Sequence, residues 1–208
     1  MYIPEHFRMP PADLRAFLDV PRAGTLVTVG PDGRPAATYV PWTMLGDRLT
    51  THIGRVNPQA THTGPGLVVF MGDDAYVSEE WMAPGAAPSW AYETVQVVGD
   101  VIMHDDPGWV TQSWADMLER FSDSRIGDYD PGWLAAQARA TTGVEVIVTD
   151  IQGKSKLAQN HSADEVTTIA AHLDQRCPHL AERMRTVSLP HIAAREERVR
   201  AAVPYRTA

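Results

Sequence analysis

The sequence predicts a mainly β protein, an antiparallel β-barrel with flanking helices. Between Gly24 and Ile53, β-branched runs alternate with Gly, Pro and Asp turns, which is typical of consecutive antiparallel strands. Roughly seven strand-like segments occur without repeated strand-helix alternation, which argues against a doubly wound parallel sheet. With 208 residues, 44 % of them hydrophobic, the chain can bury one substantial core.

The strand predictions follow from short β-rich runs bounded by turn residues. Gly72-Asp73-Asp74 is expected to be the turn of a hairpin, because Gly and Asp favour tight turns. Gly99 is expected at a bulge or bend of a long strand. In chain order, the predicted strands are Thr25–Val29, Ala36–Met44, Arg48–Ile53, Leu67–Met71, Ala75–Ser78, Tyr92–Met103 and Val144–Val148.

Helices are predicted on both sides of the last strand. Prolines that a first helical turn tolerates open segments at about 11–20, from 107 and from 131 to about 141. Ser162 and Glu165 match a capping box, and helical segments follow it. The sequence thus predicts a barrel domain over residues 1–160, with helices inserted at about 107–141, and a helical extension over residues 161–208.

The charge and the cysteine content restrict the function classes. The formal charge is −8, from 18 Lys+Arg and 26 Asp+Glu, which argues against a DNA-binding surface because such surfaces neutralise phosphates. Cys177 is the single cysteine, so neither a disulfide framework nor a thiolate zinc site is predicted. No apolar run approaches the roughly 20 residues of a membrane helix. With no secretory signal at the N-terminus, we expect a cytoplasmic protein without membrane partners.

Five ordered segments together resemble the PaiB family, the group usually labelled FMN-binding negative transcriptional regulators. They are Met1–Pro4, His52–Gln59, which is similar to a His-x-x-x-x-Asn-Pro element, Ala75–Ser78, Pro88–Tyr92 and Lys154–Asn160, which is similar to a Lys-x-Lys-Leu-Ser-Gln-Asn loop. The resemblance implies a split β-barrel and a homodimer whose cofactor pockets lie at the subunit interface. It also implies a flavin or heme cofactor.

The resemblance does not imply one activity. The same superfamily includes flavin oxidoreductases, heme-degrading proteins of the HugZ type and piperazate synthase, a PaiB-like heme enzyme that joins two nitrogens within an N-hydroxylated ornithine. This chain departs from the family pattern at pocket-like positions. Tyr39-Val40-Pro41 stands where the family has His-Leu-Pro, and Ala91 stands where it has the Asn of Trp-Asn-Tyr. These changes suggest an altered ligand.

His52 is the first candidate for an axial heme ligand, because a neutral imidazole is the commonest protein donor to heme iron. It lies in the histidine-bearing segment that matches the family, just before an Asn-Pro turn. The alternative is a histidine that only hydrogen-bonds that turn. His62, ten residues further along, is the backup ligand.

The remaining candidate residues lie in or near the matched segments. Cations such as Arg55 could bind a flavin phosphate or heme propionates, so they do not decide the cofactor. Flat rings could pack against a planar cofactor, although barrel core is the alternative. A carboxylate such as Glu93 could bind an amine or move a proton, with a solvated strand end as the alternative. The predicted cofactor-binding residues are His52, Arg55, Asn57, Trp90, Tyr92, Lys154 and Gln159, and the predicted catalytic residues are Tyr39, Glu93 and Lys156.

The leading functional hypothesis is a heme b enzyme related to piperazate synthase, acting on a small molecule with amine and N-hydroxyl groups. An FMN-binding regulator or flavin reductase is the first alternative, although the net charge counts against a regulator that binds DNA. A non-catalytic heme-binding protein is the second.

Overall fold

A computed structural model describes residues 1–202 of the chain and confirms the antiparallel barrel. The strands of the described residues close in the order β1-β2-β3-β6-β5-β4. Their bounds are β1 Arg22–Val29, β2 Pro35–Leu45, β3 Arg48–Gly54, β4 Gly64–Val77, β5 Ser89–His104 and β6 Thr141–Lys156. The helices are α1 Pro11–Asp19, α2 Pro107–Phe121, α3 Pro131–Arg139, α4 Ala163–Leu173, α5 Pro178–Arg183 and α6 Leu189–Ala202.

The register of the barrel combines local and distant pairing. β1 pairs with β2 along its whole length. The turn that joins the two strands contains Gly33 with a φ of 77°, a conformation that glycine adopts easily because it has no Cβ. Distant pairings join β1 to β4, with Thr25 opposite Val69, and β3 to β6, with Thr50 opposite Glu145. The three predicted N-terminal strands are therefore confirmed as consecutive antiparallel strands.

The predicted hairpin turn at Gly72-Asp73-Asp74 is wrong, because β4 runs without interruption from Gly64 to Val77. The carboxylates of Asp73 and Asp74 both have polar partners although the two residues lie within the strand. Asp73 Oδ2 lies 3.0 Å from His179 Nδ1, and Asp74 Oδ1 accepts a 2.7 Å hydrogen bond from Trp90 Nε1. Within residues 1–202, six strands therefore form where roughly seven were expected from the sequence. Likewise, Lys154 and Lys156 lie in β6 rather than in the polar loop that the sequence predicts.

Close contacts divide the chain into two compact units. The barrel unit comprises Pro10–Phe70 and Val95–Gln152, and the helical unit comprises Met1–Met9, Met71–Thr94 and the chain from Gly153. β4, β5 and β6 each contribute residues to both units. The predicted domain boundary at residue 160 stays a prediction.

The barrel unit has an apolar core in which close strand approach depends on glycine. A Cβ at Gly99 would overlap the backbone oxygen of Ile147, so β5 and β6 can approach this closely only with glycine there. The fully buried apolar side chains of the unit include Leu26, Leu49, Val68, Phe70, Val95, Val97, Val110 and Val146.

The helical unit has its own apolar cluster around α4. The predicted capping box at the start of α4 is confirmed: Ser162 Oγ accepts from the backbone N–H of Glu165 at 3.3 Å, and Glu165 Oε2 accepts from that of Ser162 at 3.0 Å. Hydrogen bonds from the backbone N–H groups of Ala83 and Ser162 lower the pKa of Glu165 to about 2. The buried cluster includes Val77, Ala91, Leu157, Val166, Ile169, Leu173, Leu180, Met184 and Ile192.

Membrane-spanning helices need both length and continuous apolar character. Of the helices within residues 1–202, none has both.

Candidate functional site

The strongest candidate site is a cavity of about 200 Å³ in the barrel unit, here called the aromatic pocket. Its walls come from β3, α2, α3 and the segment that joins the two helices. The lining contains neither Lys, Arg, Asp nor Glu. It consists of His52, Trp114, Met117, Leu118, Ile126, Tyr129, Trp133, Leu134 and Gln137.

His52 lies on β3 in the wall of this pocket, as a half-buried ring. Burial lowers the pKa of His52 from its ordinary value of 6.5, so the imidazole is neutral at neutral pH and keeps a nitrogen lone pair. The Trp114 ring packs edge-on against it, with 5.5 Å between ring centroids. The neutral form of the imidazole is the protonation state that a metal ligand requires.

Two buried polar atoms in the pocket wall have no hydrogen-bond partner among residues 1–202. They are His52 Nδ1 and Trp114 Nε1. More than nine in ten buried polar groups in proteins are paired, and an unpaired one commonly marks a functional position or a missing ligand or water. His52 and Trp114 both line the aromatic pocket, so we take this cavity as the candidate binding site.

Two capped helices carry the aromatic residues of the pocket. Asp106 caps α2 by accepting hydrogen bonds from the backbone N–H groups of Gly108 and Trp109 at 3.3 and 3.0 Å. Asp130 caps α3 in the same way, accepting from Trp133 at 2.7 Å. Along α2, the spacing of Trp114, Met117 and Leu118 puts them on one face, and all three line the pocket. Local capping and helical spacing thus fix the wall opposite β3.

The residues present fit a planar group that a neutral imidazole can bind. The rings of Tyr129 and Trp133 stack with 5.7 Å between centroids, and such faces pack well against a macrocycle. A volume of about 200 Å³ is smaller than the ~300–1,000 Å³ of typical cofactor sites, so one chain encloses only part of such a group. The anionic groups of heme or FMN meet no cationic side chain within this lining.

Arg55, a predicted cofactor ligand, is bound to protein groups in the barrel unit. Its guanidinium donates to Asp105 Oδ1 at 2.8 Å, to the backbone oxygen of Arg139 at 3.0 Å and to that of Thr141 at 3.1 Å. These bonds connect the residue that follows β3 to the last residue of α3 and to the first residue of β6. Its role toward a cofactor stays a prediction.

Asn57 and the backup ligand His62 belong to one hydrogen-bond network. Asn57 caps the short 3-10 helix Pro58–Thr61 by accepting from the backbone N–H of Gln59 at 2.9 Å, and it donates to Thr38 Oγ1 at 3.0 Å. The Gln59 amide accepts from Thr38 at 2.6 Å and donates to Thr28 Oγ1 at 2.9 Å. His62 Nδ1 lies 2.8 Å from that same Thr28 oxygen. Gln59, a fully buried amide directly after the Asn-Pro pair, organises the turn after β3 and was not predicted as a site residue from the sequence.

Tyr39 lies on β2, opposite Thr25 of β1, and is 72 % exposed. It does not line the aromatic pocket. Its predicted catalytic role stays a prediction.

Glu93, the predicted catalytic carboxylate, lies in the helical unit and is engaged at both oxygens. Arg183 Nη2 donates to Oε1 at 3.0 Å and Arg183 Nε donates to Oε2 at 3.1 Å. Ser155 Oγ donates to Oε1 at 2.7 Å. Only 5 % of the Glu93 side chain is exposed, so the geometry is that of a buried structural ion pair.

The remaining predicted residues also lie in the helical unit. Lys156 Nζ donates to Ser89 Oγ at 2.7 Å and to the backbone oxygen of Trp90 at 2.9 Å. Lys154 Nζ lies 5.4 Å from the centroid of the Tyr92 ring, within cation–π range. The structure therefore divides the predicted site residues into a His52 group in the barrel unit and a Lys156 group in the helical unit.

Gln159 is almost completely buried. Its side chain accepts from the backbone N–H of Leu157 at 2.8 Å and donates to the backbone oxygen of Ser155 at 2.7 Å. It therefore supports the turn after β6, and its predicted contact with a cofactor stays a prediction.

The aromatic wall of the pocket could not be recognised as a binding site from the sequence. Trp114, Met117 and Leu118 lie on one face of α2, a spacing that is equally typical of core packing. Tyr129 and Trp133 carried no motif. Only the position of α3 beside α2 shows that these rings line one cavity with His52.

Comparisons with known proteins agree with this fold. The sequence model of a family described as "Putative FMN-binding domain" matches residues 1–150. The chain is 28 % identical over 186 residues to protease synthase and sporulation protein PAI 2 of Bacillus subtilis, covering 83 % of this chain and 89 % of that protein.

Two solved structures show the same split-barrel fold. One is the flavocytochrome Anf3 from Azotobacter vinelandii, with a TM-score of 0.57 and 15 % identity, covering 71 % of this chain and 68 % of that chain. The other is the FAD and heme binding protein from Mycobacterium smegmatis, with a TM-score of 0.52, 21 % identity and 80 % of each chain covered.

Proposed function

We propose that this chain, which belongs to the FMN-binding domain family, binds heme in the aromatic pocket, where His52 would hold the iron. The single observation that carries the proposal is His52 itself: a neutral imidazole with an unpaired buried nitrogen in the wall of an aromatic pocket. Heme iron is held by one or two protein donors of this kind.

The names of similar proteins support a heme in this fold. A flavocytochrome and an FAD and heme binding protein share it with this chain. Because the pocket of one chain is too small to enclose a macrocycle, we also propose a homodimer in which the second copy covers the rest.

The reaction that we propose is the joining of two nitrogens within an N-hydroxylated amino acid. The N–O bond breaks, the amine nitrogen forms the N–N bond and loses a proton, and the hydroxyl leaves with that proton as water. The hydroxylated nitrogen is reduced and the amine nitrogen is oxidised, so the step needs no external oxidant or reductant. A bound iron would supply a Lewis acid for it.

The residues of the pocket would support this step by packing. The apolar side chains of Met117, Leu118 and Leu134 would limit the contact of water with the reacting nitrogens. The ring of Trp114 would pack against the same ligand.

An absorption spectrum of protein expressed with ample heme tests the proposal. We expect a Soret band that His52→Ala removes, while His62→Ala and the matched surface variant His172→Ala retain it. Loss of the Soret band in His62→Ala but not in His52→Ala would identify His62 as the iron ligand and refute the assignment of His52. Turnover is then tested with N-hydroxylated ornithine, and a loaded protein without turnover would be a heme-binding protein only.

FMN is the second candidate, because the family description itself names it. A yellow protein with a flavin spectrum, unaffected by His52→Ala, would favour this candidate and reject heme. A regulator of this type would also bind its own promoter with a steep salt dependence, which the net charge of −8 makes less favourable.

A further inference from the structure

A second cavity, in the helical unit, has the chemistry of a binding site for a small anion. It measures about 140 Å³ and is here called the Lys156 cavity. β4, β5 and the turn after β6 supply most of its walls. The lining is Phe7, Val77, Ser89, Trp90, Ala91, Lys156, Ala158, Asn160 and His161, and it contains neither Asp nor Glu.

Lys156 supplies a positive charge that lacks a counter-ion. The half-buried ammonium group donates to Ser89 Oγ at 2.7 Å and to the backbone oxygen of Trp90 at 2.9 Å, and both acceptors are neutral. Within residues 1–202, no carboxylate forms an ion pair with it. An ammonium group has three donors, so one remains for a ligand. The Tyr92 ring, whose centroid lies 6.0 Å from Nζ, is a further neutral neighbour. A partly desolvated charge without a counter-ion is costly, and an anion in the cavity would compensate it.

Part of the cavity lining is apolar. Phe7, Val77 and Ala91 are each less than a tenth exposed and line the same space. An apolar cavity of about 150 Å³ accommodates a benzene ring, so this one can take an apolar body of similar size. A ligand that joins such a body to one negative group would match both parts of the lining.

The turn beside Lys156 is held in an unusual backbone conformation. Ala158 has a φ of 66°, which is uncommon for a residue other than glycine and costs of order 1 kcal/mol or more. The backbone N–H of His161 closes this turn on the oxygen of Ala158 at 2.9 Å. Ser188 Oγ donates to the backbone oxygen of Leu157 at 2.7 Å and anchors the start of the turn. These bonds keep Asn160 and His161 in the cavity lining.

Three segments of the sequence meet at this cavity. Ala75–Ser78 contributes Val77, Pro88–Tyr92 contributes three lining residues, and Lys154–Asn160 contributes three more. Phe7, which follows the N-terminal segment Met1–Pro4, also lines the cavity.

We propose that the Lys156 cavity binds a small organic carboxylate, with the carboxylate on Lys156 Nζ and an apolar body against Phe7, Val77 and Ala91. The inference goes beyond the proposed heme function, because it uses none of the residues of the aromatic pocket. It identifies the ligand by one negative charge and by size.

Titration calorimetry with benzoate, and with its neutral analogue benzamide, tests this proposal on the full chain. We expect benzoate to bind and benzamide to bind at least tenfold more weakly. Lys156→Met should weaken benzoate binding at least tenfold, and Lys156→Arg should restore most of it. Lys154→Met, which removes a charge two residues away on the same strand, should leave binding unchanged.

Absence of benzoate binding by the folded wild type would overturn the proposal. So would equal losses in Lys156→Met and Lys154→Met, because these would indicate an unspecific charge effect. If Lys156→Met unfolds, as circular dichroism would show, the arginine variant and the benzamide comparison still decide the outcome. The result is independent of heme binding: His52→Ala should bind benzoate like the wild type, and Lys156→Met should keep the Soret band.

Discussion

The buried ion pair between Glu93 and Arg183 allows a structural role to be separated from a catalytic one. Glu93→Gln removes the charge and keeps the size of the side chain, so Arg183 loses its bidentate partner. Breaking a buried pair from one side costs about 3–5 kcal/mol. Because 24 % of the Arg183 side chain is exposed, against 5 % for Glu93, solvent screens the remaining charge and we expect the lower end, about 3 kcal/mol.

Urea unfolding followed by circular dichroism measures this loss. With an m-value of about 2 kcal/mol per M, the midpoint should fall by roughly 1.5 M. The melting temperature should fall by roughly 6–12 °C. Glu182→Gln, an exposed neighbour in sequence, is the matched control and should change stability by less than about 0.5 kcal/mol.

A double variant tests the reasoning further. Glu93→Gln with Arg183→Met removes both charges, so it should be more stable than the sum of the two single losses predicts, by about 1 kcal/mol or more. The structural interpretation is refuted if Glu93→Gln costs less than about 1 kcal/mol or if the two losses simply add. A normal unfolding midpoint together with lost turnover would instead support the catalytic role that the sequence suggested.

Three further outcomes are expected from urea unfolding of single variants. Because burial lowers the pKa of His52, the neutral ring contributes fully to the free energy of unfolding above pH 6.5, and this contribution is lost as pH falls from 6.5 toward the folded-state pKa. The free energy of unfolding of His52→Gln should therefore fall less steeply than that of the wild type between pH 7.5 and 5.5. Equal slopes for the two proteins would contradict this. Gly99→Ala should cost about 1–3 kcal/mol, whereas Gly54→Ala, where an added Cβ meets nothing within 4 Å, should cost less than about 1; equal costs would refute the close approach. Ser162→Ala should cost about 1 kcal/mol at pH 7, and the Glu165 half of the capping box should persist until pH falls from 4.5 toward 2; a weakening already complete at pH 5 would be inconsistent with it.

Much of the barrel could be predicted because its information is local. β1 to β3 follow from β-branched runs separated by turn residues, and the structure reproduces them within a few residues. The predicted hairpin at Gly72 is wrong because Gly-Asp-Asp is typical of turns only when the adjacent residues in the sequence are considered. The partners that satisfy Asp73 and Asp74, His179 and Trp90, lie far away in sequence.

The candidate site could be predicted only in part for the same reason. The resemblance selected His52, and the structure gives it a neutral ring and an unpaired nitrogen. The partners of the charged candidates depend on tertiary contacts: Arg55 meets Asp105, which is 50 residues away, and Glu93 meets Arg183, which is 90 residues away. No local pattern distinguishes such a structural ion pair from a free catalytic group.

The pairing of β3 with β6 also determines when the protein can complete its fold during synthesis. Thr50 lies opposite Glu145, so 95 residues separate the two partners. At the ribosomal rate of about 5–20 residues per second, the edge of β3 stays unpaired for roughly 5–20 s, until β6 has been synthesised. An unpaired edge strand is a template for pairing with other chains, so crowded nascent chains can associate during this interval. We therefore expect the yield of soluble protein to depend on chaperones or on slow expression at low temperature, even if the finished barrel is stable.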